Sequence, residues 1–227
     1  MARMDEFREE REAMKHAPLK ERLAYFWEYN KLKVVFFAVL IVCVAGFVSN
    51  LLNRKEEVLS GIMLNRFWMQ EEDVGCETFI ESYLEYRGYD TAKYEISVNS
   101  TLTYSTEGEQ NILEAAGVNV PQIIAAQATA GVLDYMIADY AVVMEFDEFG
   151  YFSDLRDVFT KDELKVYEDV LIYSTGNQTI PVAIDVTGSE SLSEIYAVEH
   201  DILAMGMFVN AEHVEEFKCF AEYLLAN

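Results

Sequence analysis

The chain has 227 residues, 52% of them hydrophobic, and a formal net charge of −23 at pH 7. With 40 Asp and Glu residues against 17 Lys and Arg residues, the composition excludes a nucleic-acid-binding protein, because phosphate contacts need a basic surface. The hydrophobic content is concentrated in one uncharged run, residues 34–52, which divides the chain into two unequal parts.

The segment ahead of this run, residues 1–33, is too short for a folded domain and is expected to be a cytoplasmic amphipathic segment. Two short helices are predicted in it, broken at Pro18, because proline ends a helix. The second helix has apolar and aromatic side chains near one face, namely Leu19, Leu23, Phe26 and Trp27. We expect it to lie at a membrane interface; a docking helix for a cytoplasmic partner is the alternative.

The uncharged run, VVFFAVLIVCVAGFVSNLL from Val34 to Leu52, predicts a transmembrane helix. At 1.5 Å per residue, a helix of this length covers roughly the 30 Å hydrocarbon core of a bilayer. The run is apolar all round, unlike the core helix of a soluble protein, and no clear signal-peptide cleavage site follows it. We therefore expect a single-pass anchor in the cell membrane, with the lipid bilayer as a partner.

The distribution of Lys and Arg predicts the orientation of this anchor. Eight such residues precede the run, and Arg54, Lys55 and Arg66 follow it closely. The N-terminus is therefore expected in the cytoplasm and the C-terminal domain outside the cell. Residues 53–57 are expected to form a short stalk and residues 58–227 one domain. From residue 53 onward the chain has nine basic and 33 acidic residues, a net charge of −24.

The outer domain alternates predicted strands and helices. Strands are expected at Val58–Leu64, Tyr94–Tyr104 and Leu133–Ala138. Helices are expected at Glu71–Arg87, Pro121–Gly131 and Lys161–Tyr167, the first of them closed by Gly88. This order predicts right-handed crossovers and an α/β fold with a parallel or mixed sheet flanked by helices.

Several motifs of the outer domain follow one another in an order known from one family. An Ala-rich helix precedes Gly131, Leu133 and Asp134; a turn then carries Gly150, Phe152, Asp154 and Leu155; the last segment carries Asn210, Phe217, Phe220, Tyr223 and Leu224. In this order they resemble the first lobe of type 2 extracellular solute-binding proteins, and Ile180–Thr187 resembles the strand that returns to that lobe. The resemblance implies a binding-protein-like lobe on a bacterial cell surface.

The chain departs from that family in its length. Solute-binding proteins insert a second lobe and hold their ligand in the cleft between the two lobes. Between Asp139 and Ile180 this chain has no room for a second lobe. Hinged capture of a solute for an importer is therefore not expected, and a ligand would bind at the carboxyl ends of the parallel strands.

Polar and aromatic side chains near the predicted strand ends are the candidate ligand-binding residues. They are Asn65, Arg66 and Trp68 after the first strand, Thr101, Thr103 and Tyr104 in or after the second, and Asp139 and Tyr140 after the third. We expect them to form a polar and aromatic mouth for a small solute or a peptide. The alternative is that they are rim residues without a ligand.

No catalytic pattern is present, and we expect neither an enzyme nor a cofactor. The three histidines are scattered, and His213 is expected on a surface helix. The acidic run Glu145–Glu148 misses the ligand spacing of a calcium loop and is expected to be a solvated turn, so no metal site is predicted. Cys76 and Cys219 could form a disulfide if their helices cover the same face of the sheet.

Two functional classes fit these features. The first is a membrane-anchored recognition or sensory module that contacts a ligand or another membrane or cell-surface protein. The second is a scaffold or assembly subunit of a membrane complex, whose lobe packs against another protein and binds no small molecule.

Overall fold

A computed structural model describes residues 18–52, 54–66, 74–104, 106, 119–193, 195–196 and 202–226. The chain divides into two compact units, Met1–Arg54 and Lys55–Asn227. Trp68, His200 and the first predicted amphipathic helix lie outside the described residues.

The first unit contains one long helix, α1, Leu19–Leu52, of 34 residues. Within it, the 20 residues Asn30–Ser49 are long and apolar enough to cross a membrane. The helix begins directly after Pro18, as predicted, but continues without a break into the apolar run. Residues 19–33 are therefore part of the same helix as the apolar run, and this helix is roughly 51 Å long at 1.5 Å per residue.

The second unit is an α/β domain with a mixed, open sheet. Its helices are α2 (Val74–Arg87), α3 (Val120–Thr129), α4 (Tyr140–Glu148), α5 (Leu155–Val158), α6 (Lys161–Val166), α7 (Glu190–Ser193) and α8 (Val214–Ala226). Its strands are β1 (Glu56–Met63), β2 (Tyr94–Asn99), β3 (Tyr135–Asp139), β4 (Leu171–Tyr173), β5 (Pro181–Asp185) and β6 (Leu203–Met207). Within the described residues they form a six-stranded sheet in the order β2-β1-β3-β6-β5-β4.

Strand direction changes halfway across this sheet. β1 pairs in parallel with both β2 and β3, which confirms the predicted parallel arrangement of the first three strands. β6 is antiparallel to β3 and to β5, and β4 is antiparallel to β5. The sheet is therefore mixed, with its parallel half built from the first part of the domain.

The two faces of the sheet are covered by different helices. One apolar cluster packs α2 and α8, together with α5 and α7, against one face and includes the fully buried Tyr83 and Phe217. The other cluster packs α3 and α4 against the opposite face and includes Ile124 and Val143. Because both faces are covered, the central strands β1, β3 and β6 are almost continuously buried.

Local signals explain where several helices begin and end. Gly88 and Gly131 have φ of 72° and 69°, and they follow the ends of α2 and α3, a conformation that favours glycine. The Asn119 side chain accepts a hydrogen bond from Gln122 N at the start of α3. Thr160 and Glu163 form a reciprocal capping box at the start of α6.

The predicted solvated turn at Glu145–Glu148 is wrong, because these residues form the last turn of helix α4. β3 runs directly into this helix at Tyr140 without a connecting loop. The predicted second strand is also too long: β2 ends at Asn99, whose side chain accepts hydrogen bonds from Thr101 N and Oγ1 and turns the chain away.

Cys76 and Cys219 are unbridged thiols in the structure, although α2 and α8 do cover the same face of the sheet. The two helices run antiparallel, since Arg87 meets Glu216 at one end and Phe79 meets Tyr223 towards the other. In this register Cys219 lies near the carboxyl end of α2, whereas Cys76 lies in its first turn. The two are therefore offset by roughly 12 Å along the helix axis, too far for a disulfide.

Candidate functional site

The carboxyl ends of β1 and β3 lie side by side at the point where the chain leaves the sheet towards opposite faces. After β1 the chain continues to α2 on one face, and after β3 it continues into α4 on the other face. In an open α/β sheet such a divergence leaves a crevice beyond the strand ends, where ligands bind. The predicted residues Asn65, Arg66, Tyr104 and Asp139, called here the strand-end cluster, lie at this edge.

Asn65 holds the strand-end cluster together. It has a φ of 59°, a conformation that asparagine tolerates better than most residues. Its side-chain Nδ2 donates to Asp139 Oδ2 at 2.6 Å and to Tyr104 O at 2.7 Å, and its Oδ1 accepts from Tyr104 N at 2.7 Å. Both amide hydrogens are thus engaged inside the protein. Asn65 therefore acts as a positioning residue that fixes Tyr104 and Asp139.

Two opposite charges lie in the same region, on Arg66 and Asp139. Arg66 is buried, with 5% of its surface exposed, and Asp139 is half-buried. Both act on the Tyr196 phenol: burial raises the pKa of Tyr196, the nearby Asp139 carboxylate raises it further, and the nearby Arg66 guanidinium opposes that rise. Tyr196 donates a hydrogen bond to Ile137 O at 3.3 Å. The guanidinium and the carboxylate of the cluster thus lie near a protonated phenol, that of Tyr196.

The remaining predicted residues differ in their placement. Thr101 and Thr103 are exposed beyond the end of β2. Tyr140 is 39% exposed at the first position of α4, next to Asp139. The structure brings Asn65, Tyr104 and Asp139 together, and Tyr140 is the aromatic side chain that remains accessible beside them.

Sequence reasoning missed Glu145 as a neighbour of the cluster. The Tyr104 hydroxyl donates to Glu145 Oε1 at 2.8 Å and so connects the strand-end cluster to the middle of α4. Tyr104 is buried, so its hydroxyl needs an acceptor within the fold. The contact joins residues 41 positions apart, so no local signal in the sequence points to it.

Two side chains at the strand-end cluster are accessible from solvent, the half-buried carboxylate of Asp139 and the exposed phenol of Tyr140, and these can accept and donate hydrogen bonds. Arg66 and Tyr104 are buried, and the Tyr104 hydroxyl is already bonded to Glu145. Among the described residues there is no group of three or more His, Cys, Asp and Glu side chains that could hold a metal ion.

A second polar arrangement, at the opposite end of β3, was not predicted. Asp134 is 1% exposed, and its Oδ1 accepts hydrogen bonds from the backbone N of Glu212 at 2.9 Å and of His213 at 3.0 Å. Its Oδ2 accepts from Ser60 N at 2.8 Å and lies 2.8 Å from His213 Nδ1. His213 is therefore not on a surface helix, as predicted, but directly ahead of α8, held by a buried carboxylate.

An open groove of about 370 Å³ lies beside His213. Its walls are rich in glutamates, among them Glu56, Glu57, Glu212 and Glu215. These carboxylates give the groove a negative potential, which attracts cations. Among the described residues, however, no group of His, Cys, Asp and Glu side chains could hold a metal ion.

A smaller groove of about 190 Å³ lies between α3 and α4. Pro121 and Ala125 of α3 form one wall, and Phe146 and Phe149, in and after α4, form the other. It is called here the α3–α4 groove.

Comparisons with protein families, with curated proteins and with solved structures give no match to this chain. The resemblance to type 2 solute-binding proteins therefore stays a prediction.

Proposed function

We propose that the chain is a single-pass membrane protein whose extracytoplasmic domain is a recognition or sensory module resembling one lobe of a solute-binding protein. Two features support the membrane part of this proposal: the apolar stretch Asn30–Ser49 in α1, and the excess of Lys and Arg ahead of it. That excess favours a cytoplasmic N-terminus and an extracellular C-terminal domain.

The observation that carries the recognition role is the hydrogen bond between Asn65 and Asp139. It ties together the ends of β1 and β3 where the chain diverges to the two faces of the sheet, which is the position where open α/β sheets bind ligands. A small solute or a peptide that contacts Asp139 and Tyr140 is the proposed ligand. The proposal includes no catalytic step and no cofactor.

Thermal unfolding of the full chain in mild detergent, with a panel of sugars, amino acids and short peptides, tests this role. A ligand present at a hundred times its Kd stabilises the folded state by about 2.7 kcal/mol. For a domain of this size that corresponds to an increase in Tm of about 5–10 °C. Panels in which no compound raises Tm would contradict the recognition role.

A matched pair of variants locates the binding. Tyr140→Ala removes the accessible tyrosine of the candidate site, and Tyr173→Ala removes a tyrosine of nearly equal exposure, 39% against 40%, on β4. We expect the ligand-induced increase in Tm to be lost in Tyr140→Ala and kept in Tyr173→Ala. Equal loss in both variants would place the binding elsewhere.

The proposed orientation has its own test. Alkaline phosphatase fused after Asn227 is active only outside the cytoplasm, whereas a fluorescent protein that matures in the cytoplasm reports the opposite. We expect phosphatase activity from the C-terminal fusion and fluorescence from an N-terminal fusion. The reverse pattern would overturn the orientation.

A scaffold or assembly subunit of a membrane complex is the second proposal. It is favoured by the exposure of large apolar side chains on the domain, among them Phe149, which is 71% exposed. Purification of the chain from its native membrane in a defined stoichiometric complex, without stabilisation by any solute, would favour this role over recognition of a small ligand.

A further inference from the structure

The α3–α4 groove has the size of a site for one side chain. Small-molecule sites measure about 300–1,000 Å³, and the volume of this groove, about 190 Å³, is smaller. Its walls are mostly apolar, with Pro121, Ala125, Phe146, Phe149 and Tyr151 contributing carbon surface. A groove of this size and chemistry fits an apolar side chain of another protein better than a complete solute.

Apolar surface continues beyond the groove. Phe149 follows the last residue of α4 and is 71% exposed, so the packing of the domain does not bury it. Val209, 52% exposed, lies next to Tyr151, to which its backbone N donates a hydrogen bond at 3.0 Å. Exposed apolar side chains that adjoin a groove are typical of protein-interaction surfaces rather than of scattered surface residues.

Charge around the groove identifies the kind of partner. Glu145 lines the groove, and the exposed Glu148 lies one helical turn further along α4. The chain from residue 53 onward has a net charge of −24. A second copy of the same domain would meet like charge, whereas a partner that carries Lys or Arg beside its apolar side chain would be attracted.

We propose that the α3–α4 groove binds a partner protein through an aromatic or aliphatic side chain flanked by Lys or Arg residues. The apolar side chain enters between α3 and α4 against Phe149, and the flanking cations face Glu145 and Glu148. This interaction requires no ligand at the strand-end cluster, and it gives the proposed assembly role a defined surface.

The test uses the full chain in nanodiscs of phosphatidylcholine, with binding to empty nanodiscs subtracted. The binding probe is a synthetic 12-residue peptide with central Trp and Leu residues between lysines. Two control peptides replace either the lysines with glutamates or the Trp and Leu with serines. We expect fluorescence anisotropy to detect binding of the first peptide and at least tenfold weaker binding of both controls. If the serine peptide bound as tightly as the peptide with Trp and Leu, the binding would be general charge attraction, and the proposal would be overturned.

Matched variants then locate the interaction. Phe149→Ser removes the exposed ring of the groove, and Val166→Ser makes the same kind of change on α6, where Val166 is 79% exposed. We expect the affinity for the lysine peptide to fall at least tenfold in Phe149→Ser and to change less than twofold in Val166→Ser. Both sites are exposed, so the Tm of both variants should match that of the parent chain. Equal effects of the two variants would overturn the proposal.

A charge-reversal pair tests the electrostatic part. Glu148→Lys lies beside the groove, whereas Glu168→Lys lies in the 3₁₀ turn after α6, and both positions are exposed. We expect Glu148→Lys to weaken binding of the lysine peptide severalfold more than Glu168→Lys does. Equal weakening would overturn the assignment of the flanking cations.

A concentration-dependent dimer of the chain that Phe149→Ser abolishes would assign the groove to a second copy and likewise overturn the proposal.

Discussion

The carboxylate of Glu216 accepts two hydrogen bonds from the guanidinium of Arg87, at 3.0 Å from Nε and 3.1 Å from the terminal Nη2. The hydroxyls of Tyr83 and Tyr89 donate to the same carboxylate at 2.6 and 2.9 Å. Glu216 is only 8% exposed, so α8 places a charge inside the fold, and α2 together with Tyr89, just beyond its end, surrounds that charge with donors. This contact fixes the two helices against each other on one face of the sheet.

Glu216→Gln is therefore expected to lower the free energy of unfolding by about 2 kcal/mol, because hydrogen bonds to a charged group contribute about 1.5–3 kcal/mol. Urea unfolding in mild detergent, followed by the near-ultraviolet circular dichroism of the tyrosines, measures this loss. Glu215→Gln is the matched control: its carboxylate is 86% exposed and contacts only Lys218 among the described ion pairs. We expect that change to stay within about 0.5 kcal/mol, and equal losses would refute the role of Glu216.

The same carboxylate predicts a dependence of stability on pH. Burial by itself raises the pKa of Glu216, but the hydrogen bonds from Arg87, Tyr83 and Tyr89 outweigh burial and lower its pKa below the ordinary value. The stabilisation is therefore fully present above the unfolded-state pKa of about 4.3 and is lost as pH falls through the lower folded-state pKa. The difference in stability between the parent chain and Glu216→Gln should shrink below about pH 4. A constant difference down to pH 2 would contradict this account.

Asp134 is expected to be among the most sensitive positions of the domain. Asp134→Ala leaves the buried backbone N of Ser60 without its acceptor and removes the acceptors of Glu212 and His213, at a cost of at least about 3 kcal/mol. Asp134→Asn, which keeps one acceptor oxygen, should cost less. His213→Ala, which removes only the imidazole contact, should cost about 1 kcal/mol. If His213→Ala were as damaging as Asp134→Ala, the backbone contacts would not be the main contribution.

The position of Gly61 has no space for a side chain, because the ring of Tyr135 lies directly against it. A Cβ added at Gly61 would lie 2.1 Å from Tyr135 Cζ, so Gly61→Ala forces the strands β1 and β3 apart or moves a fully buried ring. We expect a loss of about 1–3 kcal/mol, which Tyr135→Leu in the double variant should partly restore. Gly75→Ala, in the first turn of α2, meets nothing within 4 Å and should stabilise the domain slightly. Additive losses for Gly61→Ala and Tyr135→Leu would show that the two sites are not coupled.

The hydroxyl of Tyr135 is buried and has no hydrogen-bond partner among the described residues. A buried donor without an acceptor costs about 1–3 kcal/mol. Tyr135→Phe keeps the ring and removes the donor, and we expect unchanged or higher stability, by up to about 1 kcal/mol. A clear loss of stability in chemical unfolding would reveal an acceptor for this hydroxyl outside the described residues.

The first half of the α/β domain was predictable because its signals are local. Apolar spacing identified α2 and the strands around it, and Gly88 and Gly131 marked helix ends that the structure confirms. The parallel order of β1, β2 and β3 followed from the alternation of strand and helix. Asn65, Tyr104 and Asp139 then came together because adjacent strands end at the same edge.

The second half was harder to predict for physical reasons. β4 has three residues and β6 contains Gly206, against which the Phe152 ring packs, so neither shows a clear strand pattern. In α4 the run Ala141–Met144 is a short apolar stretch, which a strand pattern would fit equally well. The contact of Asp134 with His213 joins residues 79 positions apart, and no local signal encodes such a pair.

Helix α4 touches both surfaces to which a binding role is assigned. Its first residue, Tyr140, stands beside the strand-end cluster, and Phe149, directly after its last residue, forms a wall of the α3–α4 groove. The hydrogen bond from the Tyr104 hydroxyl to Glu145 holds the middle of α4 against the strand-end cluster. Because α4 is a single short helix, a displacement of one of its ends also moves the other. If a solute and a partner protein are coupled through α4, each changes the affinity of the chain for the other by the same factor.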